Sequence, residues 1–184
     1  MPPKFFTAFF DPEIGPQWYL GKPIDRGGTE IQAVQFTSGQ SYRGPPPHSV
    51  KIYQAGPPTE VSFGWMNLPV FSDSARSAIE SVAAQDCEFF TIDIQGTGRP
   101  WHILNAIALV DCFDVNRSEF EQEGEGDQAE YDWVYKLVID PARVGPHELF
   151  RIRGYALDLI VSEKVKAAIE RLPRHGVSFK CVTP

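Results

Sequence analysis

Ser72-Asp-Ser-Ala-Arg-Ser-Ala-Ile-Glu-Ser-Val82 and Ser162-Glu-Lys-Val-Lys-Ala-Ala-Ile-Glu-Arg-Leu172 write one device twice, ninety residues apart. In each, a serine stands where a helix needs a side chain to accept its first free N–H groups. An acid follows in the first turn, where negative charge suits the helix dipole. Apolar residues then recur at i, i+3, i+4 and i+7: Ala75, Ala78, Ile79 and Val82 in one copy, Val165, Ala168, Ile169 and Leu172 in the other. That spacing predicts a short amphipathic helix with one buried stripe.

The likeness extends outward from the helices. Gly64–Ile92 aligns without a gap on Gly154–Val182, with Gly64/Gly154, Ser72/Ser162, Ala78/Ala168, Ile79/Ile169, Glu80/Glu170 and Phe89/Phe179 identical. Asp73/Glu163, Arg76/Lys166, Val82/Leu172 and Ile92/Val182 are conservative exchanges. Each copy thus reads as an apolar segment, a capped helix and a strand built around a Phe. Pro173 and Gly176 stop the second helix, and Val177–Val182 is predicted to be a closing strand.

Around this duplication, short apolar runs alternate with turn residues. Phe5–Phe10, Gln17–Leu20, Ile31–Phe36 and Val50–Tyr53 read as strands, separated by Gly27-Gly28, Ser38-Gly39, Gly44-Pro45-Pro46-Pro47 and Gly56-Pro57-Pro58. Three successive prolines cannot pair inside a sheet, so that segment reads as an exposed, stiff connector. Trp101–Asp111 is an apolar run suited to a core strand pair. Tyr131–Ile139 and Leu149–Ile152 read as two more strands, joined by a turn through Pro141, Gly145 and Pro146. Strands and helices mix without a regular βαβ alternation, which predicts an α+β fold with a β-rich N-terminal part and two short helices. The expectation is one domain over residues 1–184, built of two quasi-equivalent lobes, 1–95 and 96–184.

A chain of 184 residues is long enough to bury a full core. The N-terminal apolar run is cut by Asp11 and Pro12, so no secretory signal or membrane span is read there. Three widely spaced cysteines, Cys87, Cys112 and Cys181, fit a reducing cytoplasm, and Cys87 and Cys181 are expected to be small buried hydrophobes. The net charge is −7. Glu119, Glu121, Glu123, Glu125, Asp127, Glu130 and Asp132 fall in a single window without Lys or Arg, and their charge equals that of the whole chain. Such a surface disfavours direct binding of nucleic acid, which needs clustered cations, and favours a basic protein partner. Tyr131 and Trp133 within and beside the window could anchor that partner, so these nine residues form the predicted partner-binding segment. A solvated acidic loop is the alternative reading, since Gly124 and Gly126 interrupt the run.

Motifs of catalysis are sparse. His48, His102, His147 and His175 are isolated, without metal-ligand spacing, so no metal and no cofactor is expected. The chain carries no GxSxG, Walker or dinucleotide-binding pattern. His102 with Asp111, Asp114 and Asn105 is the best catalytic grouping on offer, and it supports a rival reading as a small hydrolase. A ligand-binding sensor domain is a third reading.

Trp18-Tyr-Leu-Gly21, Phe36-Thr-Ser-Gly39, Leu68-Pro-Val-Phe-Ser72, Ile103-Leu-Asn-Ala-Ile-Ala-Leu-Val-Asp111, Phe150-Arg-Ile-Arg-Gly154, Ile160-Val-Ser-Glu163 and Gly176-Val-Ser-Phe179 resemble the Imm11 immunity-protein family. The resemblance spans most of the chain. It implies a cytoplasmic immunity protein of a bacterial polymorphic toxin system, of the contact-dependent or type VI kind. Such a protein binds and neutralises a cognate toxin encoded beside it, without catalytic residues of its own. The acidic segment would then read the individual toxin, and its charge suits a basic cleft such as that of a nuclease.

Overall fold

In a computed structural model, which describes residues 3–123 and 130–184, the fold is α+β and rich in strands. The first helix, α1 (Asp73–Ala83), lies between β5 (Leu68–Phe71) and β6 (Cys87–Ile94). The second, α2 (Glu163–Glu170), lies between β12 (Tyr155–Ser162) and β13 (Ser178–Cys181). Ser72 and Ser162 cap them as the sequence predicts, accepting from the N–H of Ala75 and Val165 at 3.2 and 3.3 Å. Ala75, Ile79 and Ala83 of α1 and Val165 and Ile169 of α2 meet in one buried cluster, so the two apolar stripes cover each other.

The duplication carries through to the ladders. β7 (Pro100–Ala106) lies between β5 and β6, antiparallel to both, and β1 (Phe5–Phe9) lies between β12 and β13 in the same way. The registers coincide. Phe71↔His102↔Thr91 corresponds to Val161↔Phe6↔Cys181, and Val70↔Ile103↔Phe90 corresponds to Ile160↔Thr7↔Lys180. The central strand of one copy follows its helix in sequence, whereas that of the other comes from the N-terminal end of the chain.

β4 (Val61–Gly64) forms a hairpin with β5, and β11 (Leu149–Ile152) does so with β12. β2 (Tyr19–Asp25) joins β4 in parallel at Leu20↔Gly64, as β8 (Leu109–Val110) joins β11 at Val110↔Ile152. With β3 (Pro47–Gln54), the first copy closes into a barrel ordered β2-β3-β6-β7-β5-β4. The second copy remains a five-stranded sheet, β13-β1-β12-β11-β8. Trp18, Leu20, Val50, Val70, Ile92 and Trp101 fill the barrel. Phe5, Val110, Ile139, Ile160 and Val182 form the corresponding cluster of the second copy.

Two sequence expectations are corrected. Ile31–Phe36 is not a strand: Ala33–Phe36 is a 3-10 turn, because its buried residues Ala33 and Phe36 recur three apart while Val34 faces solvent. Cys181 is exposed rather than buried, since β13 is an edge strand whose last two residues, Lys180 and Cys181, are both open to solvent. Cys87 is buried as expected, and so is Cys112. Pro45 and Pro46 form the exposed connector, while Pro47 is buried and opens β3.

Candidate functional site: an acidic aromatic hairpin

The acidic window forms a separate antiparallel hairpin, β9 (Glu119–Glu123) with β10 (Glu130–Lys136). Its base is held by local chemistry. Asp114 accepts from the N–H groups of Asn116 and Arg117 at 3.0 and 3.2 Å, turning the chain into β9. The Ser118 hydroxyl then donates to the Val138 carbonyl and accepts from the Val138 N–H, both at 3.0 Å, which clamps the two strands where they leave the core. On the inner side, Tyr131 stacks on Phe113 at 3.9 Å and 13°, and Phe120 meets both rings edge-on at 5.1 and 4.9 Å. Val134 packs against the same cluster, and the Tyr131 N–H donates to Gly154 O at 2.9 Å.

The outer side is a different surface. Trp133 is 65% exposed and Tyr135 63% exposed, two large aromatics on one face of one strand. Trp133 sits opposite Glu121 in register, and the Tyr135 hydroxyl donates to the Glu121 carboxylate at 2.5 Å. That acceptor holds the Tyr135 phenol above the usual tyrosine range. Glu119, also exposed, lies opposite Lys136, with 3.7 Å between their charged atoms.

The predicted partner-binding residues therefore divide. Glu119, Glu121 and Trp133 stand on the outer face. Tyr131 turns inward and anchors the hairpin. The backbones of Glu123, Glu130 and Asp132 run in the two strands, whereas Glu125 and Asp127 lie outside the described residues. Tyr135 escaped the sequence reading. Its signal is period two: it stands two residues after Trp133 in the same strand.

The proposed catalytic grouping is not assembled. His102 is buried, with Nε2 2.6 Å from Asp73 Oδ1 and Nδ1 3.2 Å from the Thr91 hydroxyl. Asp111 pairs instead with Arg143 at 2.6 Å, Asn105 Nδ2 donates to Gln40 O at 2.8 Å, and Asp114 caps its own turn. In the second copy the ladder position of His102 is taken by Phe6, so the slot suits an aromatic ring with no titratable group. Among the described residues, no three His, Cys, Asp or Glu side chains are grouped to hold a metal ion. No described helix is long and apolar enough to cross a membrane.

Comparison with curated proteins gives no match. The profile of the Imm11 immunity protein family matches residues 14–183, from the turn before β2 through the end of β13. With nearly the whole chain matched, the protein belongs to the Imm11 immunity protein family.

Proposed function

We propose that this immunity protein neutralises a cognate bacterial toxin by stoichiometric association in the cytoplasm, and that the outer face of the β9–β10 hairpin reads the toxin. The observation that carries the reading is the exposure of Trp133 and Tyr135 beside Glu119 and Glu121. Large aromatics held in solvent on an anchored strand are typical anchors of a protein interface. Surrounding carboxylates steer a basic partner onto them and set register rather than supply most of the affinity. A toxin with a basic substrate cleft, such as a nuclease, fits this surface.

The test is co-expression with the toxin encoded by the adjacent open reading frame. Growth should be restored by the wild-type chain, and equal lethality with or without it would sink the proposal. With purified partners, Trp133→Ala should weaken binding by about 1.5–2 kcal/mol, the loss typical of an interface anchor. Glu119→Lys with Glu121→Lys should slow association and flatten its dependence on salt. Unchanged affinity and unchanged salt dependence in both variants would move the interface to another face.

A further inference from the structure

The five-stranded sheet ends at β13, and the phase of its hydrogen bonds shows what that edge presents. The Val182 N–H donates to Phe5 O at 3.0 Å, which makes Phe5/Val182 a bonded pair in the β1–β13 ladder and therefore also Thr7/Lys180 and Phe9/Ser178. On its other side β1 bonds β12 through the alternate residues, beginning with the Glu163 N–H to Lys4 O at 3.2 Å. The N–H and C=O groups of Phe179 and Cys181 consequently point away from the sheet. Among the described residues none of these four groups has a hydrogen-bond partner.

In the first copy the chain beyond the corresponding stretch is paired, at positions that align with Thr183 and Pro184. There β3 pairs in parallel with β6 at Ser49↔Asp93 and Val50↔Ile94, and the barrel closes. In the second copy, the Ile139 N–H reaches the Val182 carbonyl at 2.8 Å, and beyond that bond the two walls diverge. They enclose a groove of about 610 Å³, with Lys180 and Cys181 on one wall and Ser118, Glu119, Lys136 and Val138 on the other. The second wall is the base of the acidic hairpin. A similar groove beside β6, lined by Asp25, Pro45, Pro46, Pro47, His48 and Thr91, differs in having three successive prolines, which carry no N–H, along its wall.

We infer that the outer edge of β13 receives an extended strand of the partner toxin, so that the partner is held by strand addition in the groove as well as by the hairpin face. This rests on the hairpin being the toxin surface, because groove and hairpin share a wall. The chemistry of the strand follows from the groove. Its main chain supplies the partners of Phe179 and Cys181, as in other sheet-edge recognition. The groove sets Arg117, Lys136 and Lys180 against the Glu119 carboxylate, so groove-facing side chains of the incoming strand are acidic or hydrogen-bond accepting. The outer hairpin face is acidic and takes a basic part of the same partner. An unsatisfied edge is also an association hazard, and occupation by the partner resolves it.

The test uses the full chain and the purified protein encoded beside it. Amide hydrogen exchange should show Phe179 and Cys181 gaining protection in the complex. Cys181→Pro removes one outward N–H while leaving the ladder to β1 intact, and should weaken binding about tenfold. Cys181→Val changes the side chain and keeps the N–H, so the loss in Cys181→Pro beyond that in Cys181→Val reads the hydrogen bond. If Cys181→Pro fails to fold, as its melting curve will show, exchange in the wild-type complex decides. Loss of binding in Trp133→Ala and Glu121→Lys, with no new protection at Phe179 and Cys181, overturns strand addition and leaves the hairpin reading standing. No effect from either set overturns both. Protection of the same amides in the free protein, rising with concentration alongside a dimer in sedimentation, gives the edge to a second copy and overturns the toxin as occupant.

Discussion

Asp158 and Arg151 place opposite charges within each other's field in the second sheet. Arg151 is fully buried, with Nη1 donating to the Leu157 carbonyl at 2.7 Å. Burial lowers its guanidinium to about 10, against the opposing pull of the Asp158 carboxylate, so it remains a cation at neutral pH. Burial likewise pushes the Asp158 carboxyl above the usual range, and the hydrogen bond from Thr7 and the charges of Arg151 and Lys180 offset this only in part. The sign of the pH effect follows. An Asp titrates near 3.9 in the unfolded chain. Between that value and the raised folded value, the native state holds more protons than the unfolded state, so this group's contribution to stability falls as pH rises. Asp158→Asn mimics the neutral form. Its unfolding free energy relative to wild type should therefore increase from about pH 4 to pH 7, as measured by urea denaturation at both pH values. A difference that is flat or falls with pH would show that the carboxylate is not strained by burial.

The two helices are alike down to their accessory contacts, and this tells which part of the fold the sequence could reveal. Arg76 lies over the Phe89 ring at 5.6 Å and pairs with Glu80, while Lys166 lies over Phe179 at 5.5 Å and pairs with Glu170. The Ser72 N–H donates to Glu60 O at 2.9 Å and its hydroxyl to the Glu60 carboxylate. The Ser162 N–H donates to Glu148 O at 2.8 Å, and the Glu148 carboxyl, despite its burial, is drawn below the usual range by Lys164 and Ser162. Ser72→Ala and Ser162→Ala should each cost about 1–2 kcal/mol, the upper part of the cap range, because each also removes a hydroxyl donor from a glutamate. Thermal or chemical melts of the single variants should agree within error; a large inequality would mean that the repeated caps do not carry equal weight. Caps and helical stripes were legible because they are local. The equivalence of β1 and β7 was not, since Phe5, Phe6, Thr7 and Ala8 share no residue with Trp101, His102, Ile103 and Leu104, and only ladder register relates them. The hairpin shows the same limit. Period two puts Tyr131 and Trp133 on one face, but a bulge between them sends the first inward and the second outward.

At the scale of the molecule, the copies grip each other reciprocally. The N–H groups of Glu60 and Val61, at the start of β4, donate to the carbonyls of Arg174 and His175 after α2, at 3.0 and 2.9 Å. The N–H groups of Glu148 and Leu149, at the start of β11, donate to the Asp86 carboxylate after α1, at 2.8 and 3.3 Å. Gly176, which follows α2 as Asp86 follows α1, has φ +76°, and a Cβ there would lie 2.4 Å from the Thr59 hydroxyl, so this contact needs glycine. One difference breaks the symmetry: β6 runs into β7 through Gln95–Arg99, whereas the matching strands β13 and β1 belong to opposite ends of the chain. The Val182 N–H to Phe5 O bond nevertheless brings those ends together. A circular permutant should therefore fold, with the turn sequence Gln95–Arg99 grafted between Pro184 and Lys4 and new termini opened between Phe10 and Asp11. It converts β1 into a strand that follows its own copy's helix, as β7 does, and replaces a contact between distant ends of the chain with a local hairpin. Loop closure over fewer residues costs less entropy, so refolding of the second sheet should be faster at nearly unchanged stability. Stopped-flow fluorescence and equilibrium denaturation of the two proteins provide the comparison. A permutant that cannot fold cooperatively would mean that the shared registers of β1 and β7 do not make them interchangeable in connectivity.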